Sequence, residues 1–487
     1  MIDSTSNLVS LSEYGLPSNT PSEYSSGLST YTMLARQKDV IRAIFYNPGL
    51  LSKYINYTGL DNVEFKGLNV PIPPVPFIPY NDNSFCCLLN KIVGVDSKDE
   101  TEDTCRTLSV TALGAGGKIG VPYIIKDEDG TELVVKLSKV NKAYSRYDIN
   151  PPTNLREIDS LGIKQCISKI KLSRIRYLAS DEFTNETLIG YTLNLVAEEL
   201  SLPPLYVRHY QGAICSDPIT SEDFGLNIME NCDLGSLDKV PNHPNFKQYI
   251  KQHHVNDNGR EILSNLVDSD IIFQIITQIT MGLHMLQNYV GFISGDLKAG
   301  NIFVKSEPIN MEYMGIKLKA PFICKIADYG KSSCMLPRVN GTLLRFYHES
   351  ILSNIYLAVH PFTPEIIQSD DEYYYTVDTP LVSQTYSRTM HMGIPFYRSF
   401  DYYTVLVSML TRPAFYYMFF STESLRKTFW DPIWINSAES DEVLSRIHQY
   451  VMEGKGERLA DAITIVKGIK LKCGAVNLVI NNLLSLQ

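Results

Sequence analysis

The chain has 487 residues and a mass of 55.0 kDa, enough for two or three ordinary domains or for one two-lobed enzyme with extensions. Hydrophobic residues make up 44% and charged residues 20%, a mixture that can bury a large core and that excludes wholesale disorder. The formal net charge of -9 disfavours a nucleic-acid-coating function, which needs a basic surface, so we expect no nucleic-acid partner.

The spacing of the cysteines and the length of the apolar segments indicate in which cellular compartment the protein is expected. The 9 cysteines are scattered and show no CxxC spacing, which is typical of reduced thiols and predicts neither a disulfide framework nor a zinc site. The N-terminus lacks the basic start and apolar run of a signal peptide, and no apolar stretch reaches the roughly 18 residues that span a membrane. The sequence therefore predicts a cytoplasmic protein with no membrane span.

The N-terminal part of the chain divides in two. Residues 1–30 are rich in Ser, Thr, Asn and Gly and are predicted to form a flexible arm. Residues 31–106 form an N-terminal extension, with helical spacing over 31–60 and a proline run over 71–79. Because proline fixes φ and removes a backbone donor, we expect extended chain packed on the fold, with an SH3-type ligand as the alternative.

From Thr107 the sequence alternates β-prone runs with glycines, in the order strand, glycine loop, strand, turn at Asp129-Gly130, and strand. Glycine lets backbone N–H groups approach a phosphate without interference from Cβ. Turns explain most such clusters, and this one has neither the GK[ST] of a Walker A loop nor the helix of a Rossmann fingerprint. The loop residues are Gly114, Gly116, Gly117 and Gly120, followed by Val121.

Lys136 ends the third strand of this group, where its ammonium can reach nucleotide phosphates beside the glycine loop. Residues 139–180 contain a basic stretch, and a helix is predicted over 181–200 with Asp181 as its N-cap. Strands are predicted at YVRHYQGAIC and GLNIME, then an apolar helix over 270–290, two short strands, and mainly helix-compatible sequence. A β-rich half followed by a helix-rich half predicts an α+β fold with two lobes.

One loop, between the predicted apolar helix and the strand after it, carries a carboxylate, an ammonium and an amide close together. It places a carboxylate at Asp296, an ammonium at Lys298 and an amide at Asn301 between the apolar helix and a strand. Phosphoryl transfer uses these three groups together, because a carboxylate accepts the proton of the attacking hydroxyl, a cation offsets phosphoryl charge, and an amide oxygen holds Mg²⁺. The alternative is a polar loop in which these three groups occur together by chance, and the apolar strand that follows the loop disfavours it.

This loop resembles the catalytic loop of eukaryotic-type protein kinases, and Asp328-Tyr329-Gly330 resembles the DFG motif of that family. The resemblance covers roughly residues 107–415 and implies a bilobal fold, ATP and Mg²⁺ as cofactors, and protein Ser/Thr hydroxyls as acceptors. The implied parts are a β-rich N-lobe over 107–232 with an insertion at 139–180 and a helical C-lobe over 233–415 with a long activation segment. Residues 416–487 are either a C-terminal helical part of the C-lobe or a tail.

The resemblance also implies a role for each matching residue. Asp296 becomes the catalytic base and Lys298 the phosphate-side cation, while Asn301 and Asp328 become the metal ligands. Lys136 matches the strand lysine that meets the nucleotide phosphates, and the glycine cluster with its following valine matches the glycine-rich loop.

Five further positions follow from the resemblance. Glu186, near the middle of the predicted helix, is our choice for the glutamate that pairs with Lys136; Glu182 and Glu198 are the alternatives. The segment 226–232 resembles the strand and hinge between the lobes. Its residues are Met229 as gatekeeper and Glu230 and Cys232, whose backbone would meet the adenine edge. Asp401 resembles the buried aspartate that begins the large central helix and braces the catalytic loop.

Some features depart from the pattern. Ser294-Gly295 replaces the usual His-Arg, so no pocket for an activation-loop phosphate is apparent, and switching by loop phosphorylation is not expected. Both Thr363-Pro364-Glu365 and the GIPFY segment over 393–397 resemble motifs that close the activation segment. Their order in the chain is the reverse of the usual one, so the substrate-binding segment stays open.

Insertions in an intact catalytic set are typical of divergent kinases of large DNA viruses. This pattern predicts a viral kinase that is packaged in the virion and has viral structural proteins among its partners. Two other functions stay open. The first is a small-molecule phosphotransferase of the aminoglycoside or choline type, because Gly295 precedes Asp296. The second is a pseudokinase with a scaffolding role, because the His-Arg pair is absent and Tyr329 stands in place of phenylalanine.

Overall fold

The structure is a computed structural model, and it describes residues 81, 83–94, 108–113, 121–140, 146–148, 175–179, 182–257, 260–294, 296–337, 343–348, 366–369, 372–377, 394–434, 437–452, 469–472 and 474–486. The predicted arm, the helical spacing over 31–60 and the proline run lie outside these residues. So do the glycines of the predicted loop, the N-cap at Asp181, Gly295 and Thr363-Pro364-Glu365.

Among the described residues, strands dominate the first part of the chain and helices the last. The helices are α1 (Asn83–Val93), α2 (Glu182–Glu199), α3 (Ser269–Tyr289), α4 (Ile394–Leu410), α5 (Pro413–Ser421), α6 (Glu423–Leu425), α7 (Ser437–Met452) and α8 (Ala475–Ser485). The strands before α3 are β1 (Ser109–Ala112), β2 (Pro122–Lys126), β3 (Glu132–Lys139), β4 (Arg146–Asp148), β5 (Ile175–Ala179), β6 (His209–Ser216), β7 (Asp223–Glu230), β8 (Gly235–Ser236), β9 (Ile250–Asp257) and β10 (Arg260–Val267). Those after it are β11 (Ile302–Lys305), β12 (Ile309–Tyr313), β13 (Ile316–Ala320), β14 (Ile323–Ile326), β15 (Cys334–Pro337), β16 (Leu343–His348), β17 (Ile366–Ser369), β18 (Glu372–Val377) and β19 (Ile469–Lys472).

A five-stranded antiparallel sheet with the order β1-β2-β3-β7-β6 organises the sheet-rich region. The turn at Asp129-Gly130 joins β2 to β3, as the sequence predicts. Buried and half-exposed residues alternate along β3, so Lys136 lies on the opposite face from its neighbours Val135 and Leu137. The lysine therefore faces away from the apolar core that those neighbours share with α1.

Within the described residues, one helix packs on each face of this sheet. On one face α1 buries Phe85, Leu88 and Leu89 against the strands. On the other face α2 packs against β6 and β7, very near its predicted bounds of 181–200. Its approach needs glycine, because a Cβ at Gly225 would lie 2.2 Å from Cγ of Phe183 in α2. The close contact brings the middle of α2 within reach of β3.

A disulfide joins the N-terminal extension to this sheet. Cys86 of α1 and Cys215 of β6 are bonded, with Cα atoms 5.4 Å apart, and Cys87 is disulfide-bonded as well. The prediction of reduced thiols without a disulfide framework is therefore wrong for these positions. It failed because Cys86 and Cys215 are 129 positions apart and meet only when α1 packs on the sheet.

The helical region is built around α3, which is buried on nearly every side and lies close to its predicted position. Helices α4, α5 and α8 pack against it. The apolar C-terminal segment thus contributes to the core, through Val476, Val479 and Leu483 of α8. No helix within the described ranges combines the length and the apolar character that crossing a lipid bilayer requires.

Removing the disulfide is expected to destabilise the protein. The Cys86→Ala variant should lose roughly 2–5 kcal/mol of unfolding free energy, since the cross-link restricts the unfolded chain over a long loop. Urea unfolding measures the loss. Cys324→Ala is the matched control, because Cys324 is a buried free thiol whose truncation should cost only about 1 kcal/mol. Equal losses in the two variants would contradict a stabilising cross-link.

Candidate active site

An ion cluster forms where β3, α2 and the segment after β14 meet. Lys136 Nζ lies 3.0 Å from Glu186 Oε2 and 2.8 Å from Asp328 Oδ1. Glu186, and not Glu182, faces the lysine: Glu182 is exposed at the start of α2, beside Gly330. The structure therefore brings together three residues that the sequence separates by up to 192 positions.

Burial and charge oppose each other in this cluster. Burial alone would lower the pKa of Lys136, but the carboxylates of Glu186 and Asp328 outweigh it and hold that pKa well above its ordinary value. Burial raises the pKa of Glu186, and the charge of Lys136 offsets part of that effect. The lysine is thus fixed in its charged form, as a group that binds phosphate must be.

Asn227 completes the environment of Glu186, and sequence reasoning missed it. Its Nδ2 donates to Glu186 Oε2 at 3.3 Å, and its Oδ1 accepts from Thr187 Oγ1 at 2.7 Å. Asn227 pairs with Lys136 across β3 and β7. A single asparagine inside the apolar segment GLNIME was the available signal, but only the strand register places it beside the ion pair.

The loop that carries Asp296 is held by α4. Asp401 Oδ2 accepts from Ser294 N–H at 2.7 Å, and Ser408 Oγ accepts from Ala299 N–H at 2.7 Å. Both α4 side chains are buried, so they satisfy N–H groups that water cannot reach. The predicted contact between Asp401 and the loop is present, but Asp401 does not begin the helix.

The start of α4 differs from the prediction. The helix begins at Ile394, so Asp401 lies about two turns inside it, and the GIPFY residues from Ile394 onward form its first turn. Pro395 explains the difference, because proline at the start of a helix lacks only an N–H that the helix leaves unpaired, and its fixed φ suits the helix.

Two ammonium groups flank Asp296. Its Oδ2 lies 3.1 Å from Lys298 Nζ and 3.7 Å from Lys331 Nζ. The loop closes on itself through Asn301, whose Nδ2 donates to the Asp296 carbonyl at 2.8 Å. Lys331 was not among the predicted residues, although its position directly after Asp328-Tyr329-Gly330 was a signal that it lies near the site.

Asp328 links the loop to the ion cluster. The N–H of the preceding Ala327 donates to the Asn301 carbonyl at 2.9 Å, which ties the two segments together. Burial alone would raise the pKa of Asp328, but Lys136, Lys298 and Lys331 outweigh it and hold that pKa below its ordinary value. Asp328 therefore stays ionised, as a metal ligand must be.

The Asn301 and Asp328 side chains fit a magnesium site. Asn301 uses its amide nitrogen within the loop, which leaves the amide oxygen as a donor, and Asp328 supplies a carboxylate. The described residues contain no group of three or more His, Cys, Asp or Glu side chains that could enclose a metal. Two oxygen donors suit Mg²⁺, which usually keeps several waters and shares substrate phosphates.

Tyr329 stands where the related motif has phenylalanine, and its hydroxyl is accommodated. The residue is fully buried, and its OH lies 2.6 Å from the Ile326 carbonyl and 3.1 Å from the Val207 carbonyl. Its ring packs between His209, at a centroid distance of 5.1 Å, and Phe292, at 6.0 Å. The tyrosine thus fixes the segment after Asp328 by both packing and hydrogen bonding.

The predicted hinge residues lie at the junction between β7 and the helical region. Met229 is half-buried and packs against the cluster of Val207, Cys232 and Ala327. Glu230 is nearly buried, and its carboxylate accepts from Lys325 Nζ at 2.8 Å and from Lys305 Nζ at 3.0 Å. Its side chain therefore ties β7 to β14 and β11. The Glu230 N–H donates to the Arg208 carbonyl, so that N–H is not available to an adenine edge.

Electrostatics at this junction favour a fixed ion pair and a neutral thiol. Burial alone would raise the pKa of Glu230, but Lys325 and Lys305 outweigh it and the pKa is lowered. Burial, and then the charge of Glu230, raises the pKa of Cys232 to about 12.

Val121, the last residue of the predicted phosphate loop, is half-buried and packs beside the sheet core.

Replacing Lys136 is expected to destabilise the fold. Lys136→Met leaves the buried Glu186 carboxylate without its cation and should cost about 2–4 kcal/mol of unfolding free energy. Lys139→Met is a matched control on the same strand, because the Lys139–Glu222 pair is exposed and should be worth less than about 1 kcal/mol. Chemical denaturation measures both variants, and similar losses would contradict a buried ion pair.

The burial of His209 predicts acid sensitivity. Burial and then the charge of Lys136 lower the pKa of His209 to about 3, whereas an unfolded histidine titrates near 6.5. Below about pH 6.5 the unfolded chain binds the proton and the folded chain does not, so stability falls with pH. Between pH 6.5 and 5, wild type should lose about 2 kcal/mol more than His209→Phe. Urea unfolding at the two pH values measures this, and equal losses would show that the ring is not buried as a neutral group.

Comparison with known proteins identifies a distant relative. No protein-family model matches the chain. The chain is similar to a protein of Acanthamoeba polyphaga mimivirus that carries the provisional name of a serine/threonine-protein kinase, with 26% identity over 276 residues. The match covers 49% of this chain and 37% of the relative, so the chain spans little more than a third of that relative's length. This similarity supports a kinase-like relationship over about half of the chain.

Proposed function

We propose that this protein is a serine/threonine-protein kinase that transfers the γ-phosphoryl group of ATP to protein hydroxyls in the presence of Mg²⁺. The observation that carries the proposal is the ion cluster of Lys136, Glu186 and Asp328, joined through Asn301 to the loop of Asp296 and Lys298. The fold assignment belongs to the same proposal: a bilobal kinase-like fold, with an N-lobe over 107–232 and a C-lobe over 233–415.

Each side chain has a task in this reaction. The Asp296 carboxylate orients the acceptor hydroxyl and takes its proton, and Lys298 offsets the charge of the transferred group. Lys136, held by Glu186, contacts the nucleotide phosphates. Asn301 and Asp328 would hold Mg²⁺, which supplies charge neutralisation of the phosphates when bound. The hinge backbone around Cys232 and the glycines before Val121 would receive the adenine and the phosphates.

The acceptor is proposed to be a protein. Lys298 two positions after Asp296 and Gly330 after Asp328 favour a protein kinase over a small-molecule phosphotransferase. The name of the mimivirus relative agrees with this choice. A viral origin, viral structural proteins as substrates and packaging in the virion extend the proposal, supported by the source of that relative and by the insertions in the chain.

The decisive test follows phosphoryl transfer by the full chain from radiolabelled ATP with Mg²⁺. Asp296→Asn should lower transfer to protein by roughly 100-fold or more, because general-base catalysis contributes that much, while nucleotide-dependent thermal stabilisation persists. Asp270→Asn, an exposed aspartate at the start of α3, is the matched control and should transfer like wild type. The acceptors are a generic basic protein, the chain itself, an aminoglycoside and choline.

The outcomes separate the three functions. Label in protein that depends on Asp296 supports the proposal. Label in the aminoglycoside or choline alone would establish a small-molecule phosphotransferase. Nucleotide binding without transfer to any acceptor would establish a pseudokinase, and equal transfer by Asp296→Asn would show that the base is misassigned.

A further inference from the structure

Asp328 has a backbone conformation that its neighbours must maintain. Its φ is 59°, in the left-handed region that costs a non-glycine residue of order 1 kcal/mol or more. The same residue holds its carboxylate 2.8 Å from Lys136. A strained residue that persists at a site of this kind requires contacts that over-determine its position, and the structure shows where they come from.

The first set of contacts comes from Asn185, the residue before Glu186 in α2. Its Nδ2 lies 3.2 Å from the Tyr329 carbonyl, 2.9 Å from the Gly330 carbonyl and 2.8 Å from the Ser332 carbonyl. Asn185 is completely buried, so these carbonyl groups have no water to replace it. One amide thus gathers the turn directly after Asp328 and ties it to the helix that carries Glu186.

The second set of contacts continues along the chain. Ser333 exchanges backbone hydrogen bonds with Ile293, at 2.8 and 2.9 Å, beside the loop of Asp296. The strands that follow, β15 and β16, join a four-stranded sheet with the order β15-β16-β5-β4. In this sheet β16 pairs in parallel with β5, from Leu344 opposite Ile175 to His348 opposite Ala179.

The partner strands β4 and β5 lie in the predicted insertion over 139–180. Both β5 and β16 also contact α2. The insertion therefore reaches the segment after Asp328 and the Glu186 helix at once. A strand that pairs on both edges holds its neighbours by several backbone hydrogen bonds, and a loop phosphate is not needed for that purpose.

We infer that Asn185 is a positioning residue for Asp328, and that the inserted strand β5 is an internal brace that holds the segment after Asp328 in place without phosphorylation. The inference rests on the proposed kinase function and names how that site is maintained. Gly295 precedes Asp296, so this position offers no arginine to a loop phosphate. Pairing with β5 takes over the ordering that a phosphate would give.

The role of Asn185 is tested by Asn185→Ala in the full chain. The Mg²⁺ concentration for half-maximal transfer should rise at least fivefold and kcat should fall about tenfold, because Asp328 loses its fixed orientation. Asn194→Ala is the matched control: it is a buried asparagine of the same helix whose Nδ2 donates to the His209 carbonyl and not to a carbonyl of the turn. It should keep the wild-type Mg²⁺ dependence, and an equal change in both variants would overturn the assignment.

A second readout does not depend on activity. Amide hydrogen exchange of the segment 326–336, measured by mass spectrometry, should be at least tenfold faster in Asn185→Ala than in Asn194→Ala. An unchanged exchange rate would overturn the positioning role of Asn185 even if the protein is a kinase. Faster exchange in a protein that shows no phosphoryl transfer would support the positioning role of Asn185 and refute only the proposed function.

The brace is tested by proline, which removes a ladder hydrogen bond from a central strand. Leu178→Pro in β5 should lower transfer at least tenfold and speed exchange in the segment 326–336. Leu263→Pro, in the separate β9–β10 ribbon, should do neither. Wild type treated with phosphatase, and shown by mass spectrometry to carry no phosphate, should keep its activity within twofold. Equal effects of the two prolines, or loss of activity on phosphatase treatment, would overturn the brace.

Discussion

The contact between Lys136 and Glu186 is the interaction on which the rest of the site depends. Burying a carboxylate and an ammonium is costly unless each finds a partner, and here each has more than one. The pair can form only if α2 lies close to the sheet, which Gly212 and Gly225 permit, since a Cβ at either position would lie within 2.6 Å of an α2 side chain. The position of α2 on the sheet therefore determines the geometry of the site.

The second requirement is a loop whose polar backbone is satisfied inside the protein. Asp401 and Ser408 of α4 accept from two N–H groups of the loop, and Asn301 closes it from within. These contacts leave the Asp296 carboxylate beside two ammonium groups. The helical region thus fixes the loop, and the sheet-rich region fixes Lys136.

One departure from the kinase pattern, Tyr329 in place of phenylalanine, is compensated by packing and hydrogen bonding. The Tyr329 hydroxyl reaches two backbone carbonyls, so an extra polar group in the core is satisfied. The His209 ring packs on Tyr329 and fills space beside Gly190 of α2, where a Cβ would lie 2.5 Å from the ring. The Glu230 carboxylate binds two lysines and joins the two regions. The contacts of Tyr329 therefore hold the segment that follows Asp328, the residue that the proposed chemistry requires ionised and fixed.

Local chemistry and periodicity, which can be read from the sequence, predict the turn at Asp129-Gly130, the helix that carries Glu186, the apolar α3, and the loop from Asp296 to Asn301. The groups that are distant in the sequence and meet in the fold could not be predicted, because the spacing of residues along the chain does not reveal strand register or helix docking; the tertiary structure is needed for these. It alone placed Asn227 opposite Lys136, bonded Cys86 to Cys215, and paired β16 with the inserted β5. It also placed Asn185 on the turn after Asp328, where one buried amide serves three carbonyl groups of a segment that lies at least 144 positions away in the sequence.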